Sequence, residues 1–209
     1  MTMLPRLSKL VLTSHITFSV GWLGSIAVFL ALAIAGVISK DSQLARTAYV
    51  AMELSAWFVI VPLCFASLFT GLIQSLGTKW GLFKYYWIIV KLFLTIVAII
   101  FLLLHMQPIS YLAGIAADTS FSNTQEFGLR IQIITQAGAA ILVLLAATTI
   151  SVYKPWGKIQ LGLSNANKTI SIQKGSSKKL WGFYIIIVLI SLVIIFIIMH
   201  LLNGGMGNH

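Results

Sequence analysis

The side chains most able to do chemistry in this chain are the ionisable ones that interrupt its apolar runs. A charge or an imidazole inside a bilayer is costly and is seldom kept without a use. Two of them, His15 and Lys91, fall at matching depths. His15 follows Lys9 by six residues and Lys91 follows Lys84 by seven. At about 1.5 Å of rise per residue, that puts them roughly 9 and 10 Å beyond a flanking basic residue. Neutral imidazole is a good axial ligand for haem iron. A lysine beside it could act as a second nitrogen donor or pair with a propionate. Trp22, seven residues after His15, falls on nearly the same helical face and would wall a flat ligand. The plainer alternatives are a His15 that hydrogen-bonds a neighbouring helix and a Lys91 that snorkels to the interface. Thr70 or Gln74, and Thr148 or Thr149, are expected in the same layer.

A second set of polar residues lies towards the other end of the apolar runs. Glu53 is seven residues past Arg46, and Arg130 opens a later run with Gln132 and Gln136. Glu53 and Arg130 are expected to form a buried ion pair that fixes helix register, or else a solute or proton site open to the outside. His105, Met106, Met199, His200, Met206 and His209 collect on that side too. Imidazole and thioether suit copper, so His105 and His200 are the alternative metal site. The sequence carries no serine nucleophile elbow, zinc-protease motif or paired catalytic carboxylates. Its single cysteine, Cys64, excludes an intrachain disulfide and a cysteine-based metal cluster.

The elements that must position these groups are membrane-spanning helices. Of 209 residues, 59% are hydrophobic and only 9% charged, against about a quarter charged in a soluble domain. A spanning helix needs about 20 mostly apolar residues. Five runs qualify: Leu10–Ile38, Ala48–Leu76, Tyr85–His105, Phe127–Val152 and Trp181–Leu202. The first is too long for a signal-peptide core and reads as a retained anchor. The net charge of +10 sits between these runs. It therefore reads as a topology signal and a contact for anionic lipid heads, not as a nucleic-acid surface. Arg6, Lys9, Lys79, Lys84, Lys154, Lys158, Lys168, Lys174, Lys178 and Lys179 all fall on one side, against Lys40, Arg46 and Arg130 on the other. The positive-inside rule places the first side, and the N-terminus, in the cytoplasm. Five crossings then leave the C-terminus external.

The five helices are not equivalent. Ser14, Thr17, Gly21 and Gly24 in the first, Ala66, Ser67, Thr70 and Gly71 in the second, and Thr135, Gly138, Ala139, Ala146 and Ala147 in the fourth are small or polar groups that let helices approach. The fifth is almost uniformly bulky. The reading is an all-α polytopic membrane protein with a four-helix core over residues 1–157. A basic linker over 158–180 is expected on the anionic inner leaflet, and a peripheral fifth helix with a short external tail covers 181–209. The outer segment Met106–Glu126, with Pro108, is expected to be a loop holding at most an interfacial helical turn over Ile109–Ala116. Ser39–Thr47 is likewise expected to be a loop.

Three segments carry a resemblance. They are Thr70-Gly-Leu-Ile-Gln-Ser-Leu-Gly-Thr-Lys-Trp-Gly-Leu-Phe-Lys-Tyr-Tyr-Trp-Ile-Ile-Val-Lys91, His15 with Gly21-Trp22-Leu23-Gly24, and Leu102-Leu-Leu-His105-Met. Together they resemble a family of small bacterial membrane proteins built on a domain of unknown function. The likeness covers about the first 155 residues and ends at Tyr153-Lys-Pro-Trp-Gly157. More distantly, the chain resembles the superfamily of the copper-resistance D membrane domain and the HemJ-type protoporphyrinogen oxidase. Those proteins have a four-helix membrane core, a histidine followed by Trp-x-Gly in the first helix, and a lysine leading to a histidine in a later one. His15, Trp22-Leu-Gly24, Lys91 and His105 match that outline. The oxidase relatives carry haem b, so the resemblance implies a haem served by His15 and Lys91.

The expectation is a bacterial cytoplasmic-membrane protein that binds haem b or another tetrapyrrole in its inner half. Its role would be electron transfer, with a redox partner the sequence does not name, or tetrapyrrole handling. The alternatives are a copper or small-solute transporter that uses the outer Glu, Arg, His and Met groups, and an accessory subunit without a ligand. His15 and His105 lie at opposite ends of their runs, which excludes them as a ligand pair.

Overall fold

A computed structural model describes residues 3–78, 85–117 and 126–154. Four stretches of helix in it are long and apolar enough to cross a membrane: Pro5–Ile38, Ser42–Gly77, Tyr86–Ala117 and Phe127–Tyr153. The expected linker over 158–180 and the fifth helix over 181–209 lie outside the described residues.

The first crossing is α1 (Pro5–Ile38), which begins with proline in its first turn, where the missing N–H costs nothing. Its 34 residues make about 51 Å of helix, against a hydrocarbon thickness of about 30 Å. The inward stripe runs His15, Trp22, Ile26, Phe29, Ala33 and Gly36. These steps of three, four and seven residues make one face of a helix. The opposite face carries Ile16, Val20, Val28 and Ile34, exposed and apolar as lipid contact requires. Thr17 and Gly24 face outward, so these two expected interface residues do not serve one among the described helices.

The second crossing has three parts. α2 (Ser42–Ser55) and α3 (Val61–Gly77) are joined without a break by a π-helical turn over Ala56–Ile60. The turn is wide because Pro62 follows it. Proline has no N–H to give and its ring crowds the carbonyl four residues back. The Val61 N–H accordingly reaches Ala56 O, five residues back. Beyond this turn the helix changes its main neighbour: α2 packs on both α1 and α4 (Tyr86–Ala117), whereas α3 packs chiefly on α1. With α5 (Phe127–Tyr153) lying against α1 and α4, the crossings form a ring of four in which α1 and α4 are diagonal partners.

Two expected loops are helical over much of their described length. α2 starts at Ser42, where Asp41 Oδ1 caps the helix by accepting from Gln43 N at 2.9 Å. Ser39–Asp41 is all that separates it from α1. α4 runs through Pro108 to Ala117. Proline forfeits a helix hydrogen bond, but Ile109, Leu112, Ala113 and Ala116 beyond it are buried, and that packing carries the helix on. Arg46 secures the end: Nε donates to Ala116 O at 2.7 Å and Nη2 to Ala117 O at 2.8 Å. A guanidinium at a helix C-terminus satisfies orphan carbonyls and complements the helix dipole.

Candidate functional site at the bundle diagonal

The site is built from the three helices that meet at the end of the bundle where α1 begins. His15 is 9% exposed and lies between α1 and α3. Its Nδ1 is 3.0 Å from Ser67 O and 3.2 Å from Thr70 Oγ1. Its Nε2 is 3.0 Å from Lys91 Nζ. Lys91 thus reaches the diagonal helix across the middle of the ring. Thr95 donates to Lys91 O at 2.9 Å on its own helix.

Local sequence explains the fit. Ser67, Thr70 and Gly71 stand three and four residues apart, so they share a face of α3. A Cβ built on Gly71 would lie 3.0 Å from His15 Cε1 and 3.3 Å from Nδ1. Glycine there is what lets the imidazole lie against the α3 backbone. One turn further along α1, Ser19 Oγ and Ser67 Oγ are 2.7 Å apart, which ties the same two helices by a second hydrogen bond. Met3 N donates to Gly77 O at 2.9 Å and fastens the chain ahead of α1 to the end of α3.

The structure brings the sequence-predicted residues together unevenly. His15, Lys91 and Thr70 meet as their depths require. Gln74 is half-buried without reaching the imidazole. Thr148 and Thr149 turn back onto Leu144 O and Leu145 O of their own helix, because Leu144, Ala147 and Ile150 occupy the inward face of α5. Trp22 is 3% exposed and packs in the apolar core with Ile26, Cys64 and Ile99. Its Nε1 has no hydrogen-bond partner among the described residues.

The outer residues depart from expectation. Glu53 and Arg130 form no ion pair among the described residues. The buried face of α2 is Ala45, Ala48, Tyr49 and Met52. At 3.6 residues per turn, Glu53 is turned roughly 90° from the middle of that face. Arg130, 1% exposed, instead has its guanidinium 5.2 Å from the centre of the Tyr49 ring, within cation–π range. Tyr49 itself lies over Gly36, where an added Cβ would come 2.6 Å from its Cζ. His105 is not at a rim. α4 continues twelve residues past it, or about 18 Å. The imidazole is buried, with Nδ1 2.6 Å from Phe101 O and its ring 4.2 Å from the Phe101 ring. His200 lies outside the described residues. No cluster of three or more His, Cys, Asp or Glu able to hold a metal occurs among the described residues.

Sequence reasoning underrated Ser67, Gly71 and Tyr49. The first two were legible only as helix-interface residues, although their spacing with Thr70 marks a single face. Nothing in the sequence marked Tyr49.

Chemically, the site offers two nitrogen bases in hydrogen-bond contact, with the imidazole laid against α3. No protein-family model, characterised protein or solved structure matches the chain. The chain is a multi-helix membrane bundle, and among the described residues His15 and Lys91 make a side-chain contact inside it.

Proposed function

We propose that this chain is a bacterial cytoplasmic-membrane protein that binds haem b or a related tetrapyrrole at His15 and Lys91. The site would lie in the half of the bundle nearer the cytoplasm, and its use would be electron transfer or tetrapyrrole handling. The observation that carries the reading is the Nε2–Nζ contact of 3.0 Å across the bundle diagonal. It brings an imidazole and an amine together inside the membrane helices, and each of the two is a nitrogen base of the kind that serves tetrapyrrole iron.

The residues present fit such a group. His15 is held from its Nδ1 side by Ser67 O and Thr70. This is the kind of support that orients ligating histidines and raises their basicity. Lys91, with its four-carbon stem, would withdraw from Nε2 and serve the group as a nitrogen donor or as a propionate partner. Trp22, two turns along the same stripe and packed in the core, would have an N–H to offer such a group. Bound haem would supply one-electron chemistry; the chain's part is to orient, to donate and to keep water out. The charge distribution supports a cytoplasmic N-terminus, with anionic lipid heads as contacts for the basic end.

The test is a visible spectrum of the full chain purified from haem-replete cells. A Soret band that falls on His15→Ala is the expected result. A colourless protein that also fails to take up added haemin overturns the reading.

A further inference from the structure

The proton on the His15 ring can be placed by counting the hydrogens around it. Nδ1 faces two oxygens, Ser67 O at 3.0 Å and Thr70 Oγ1 at 3.2 Å. Ser67 O is a carbonyl and has no hydrogen to give. Thr70 has one, and its hydroxyl is 2.6 Å from Ala66 O and 3.2 Å from Ser67 O. A hydroxyl beside two carbonyls donates to one of them and turns its lone pairs outward. If Nδ1 bore a lone pair, it would be pressed against the Ser67 oxygen at hydrogen-bond distance with no hydrogen between them. Nδ1 therefore carries the proton.

The other side of the ring agrees. Lys91 Nζ is a donor, and alkylamine is the stronger base of the two groups, so the shared proton belongs to Lys91 and Nε2 accepts it. The ring has little freedom to choose otherwise. It lies against the α3 backbone where Gly71 leaves room, and a rotation that exchanged its nitrogens would break both sets of contacts.

We infer that the Ser67 carbonyl and the Thr70 hydroxyl lock His15 in the Nδ1–H tautomer, which aims the Nε2 lone pair across the bundle. Thr70 is thereby a positioning residue for whatever His15 binds. The inference deepens the ligand reading above and rests on it for its functional consequence. The tautomer itself belongs to the ligand-free protein. It also defines a ligand class: a Lewis acid or a hydrogen-bond donor is accepted at Nε2 once Lys91 withdraws, and a hydrogen-bond acceptor is refused there.

The experiment is nitrogen-15 NMR of the ligand-free full chain in lipid nanodiscs, with histidine ring nitrogens labelled and His15 assigned by its loss in His15→Gln. One proton-bearing and one lone-pair-bearing nitrogen are expected, with long-range proton couplings identifying the first as Nδ1. The same pattern is expected in Lys91→Met, because α3 and not Lys91 sets it. Lys91→Gln is the substitute should that variant fail to fold, since a glutamine amide can donate or accept and leaves the ring free to choose. In Thr70→Val the Nδ1 resonance should move while Nε2 keeps its lone pair. An Nε2–H or doubly protonated ring overturns the inference. So does a tautomer mixture appearing on loss of Lys91, or an Nδ1 resonance indifferent to Thr70. A colourless protein whose His15 is nonetheless Nδ1–H defeats the tetrapyrrole reading alone.

Discussion

Lys91 Nζ stands 3.0 Å from His15 Nε2 although the helices that carry them are diagonal in the ring of four. The contact is therefore made through the centre of the bundle and not at a helix–helix seam. Removing the amine leaves Nε2 buried without its donor. Lys91→Met should lower stability by about 1–3 kcal/mol, the usual cost of an unsatisfied buried polar group. Unfolding in detergent by heat or denaturant measures this. An unchanged midpoint would show that the lysine normally spends its time elsewhere.

Gly71→Ala sets two effects against each other. Alanine is the better helix former by roughly 0.8–1 kcal/mol. Its methyl carbon would stand 3.0 Å from His15 Cε1, on a ring held at both nitrogens. Overpacking of this kind costs about 1–3 kcal/mol, so a net loss is expected. A variant that melts higher than the parent would mean the imidazole has room to retreat.

The sequence revealed depth well and rotation poorly. Counting from Lys9 and Lys84 placed His15 and Lys91 in one layer, because rise per residue is fixed and flanking charges mark the interface. The same counting paired Glu53 with Arg130, but which way a side chain faces depends on the neighbours its helix acquires. Glu53 lies beside the buried face of α2, not on it, and Arg130 meets Tyr49. Helix ends were also misjudged at Pro108 and Ser42, where Ile109, Leu112, Arg46 and the Asp41 cap outweigh local helix-breaking signals. The small-residue pattern mixed true contacts such as Gly71 with outward positions such as Gly24, since both look alike without a partner helix.

Gly36 and Tyr49 should behave as a coupled pair. A methyl on Gly36 would collide with the rigid Tyr49 ring, at 2.6 Å from Cζ. Gly36→Ala alone should cost about 1–3 kcal/mol. In a Tyr49→Leu background the added methyl meets a smaller side chain and most of that penalty should vanish. A double-mutant cycle measures the coupling, and additive effects would refute it.

Arg46→Met removes both donors from the C-terminal carbonyls of α4. Because the guanidinium is partly exposed, the expected loss is at the low end for charge-assisted hydrogen bonds, about 1.5 kcal/mol. Amide hydrogen exchange should quicken in the last turns of α4 and stay unchanged around His15. Equal quickening at both ends would point to global destabilisation instead.

The π-helical turn at Ala56–Ile60 has a consequence for the His15–Lys91 contact. By handing the second crossing from α4 over to α1, it leaves α3 packed chiefly on α1, with only a light contact to α4. Lys91 belongs to one of these two helices, and the seat of His15 to the other. A group that parted Lys91 from His15 would therefore separate two helices that touch less than α1 and α3 do, and the seat of the imidazole would stay intact while the amine moved.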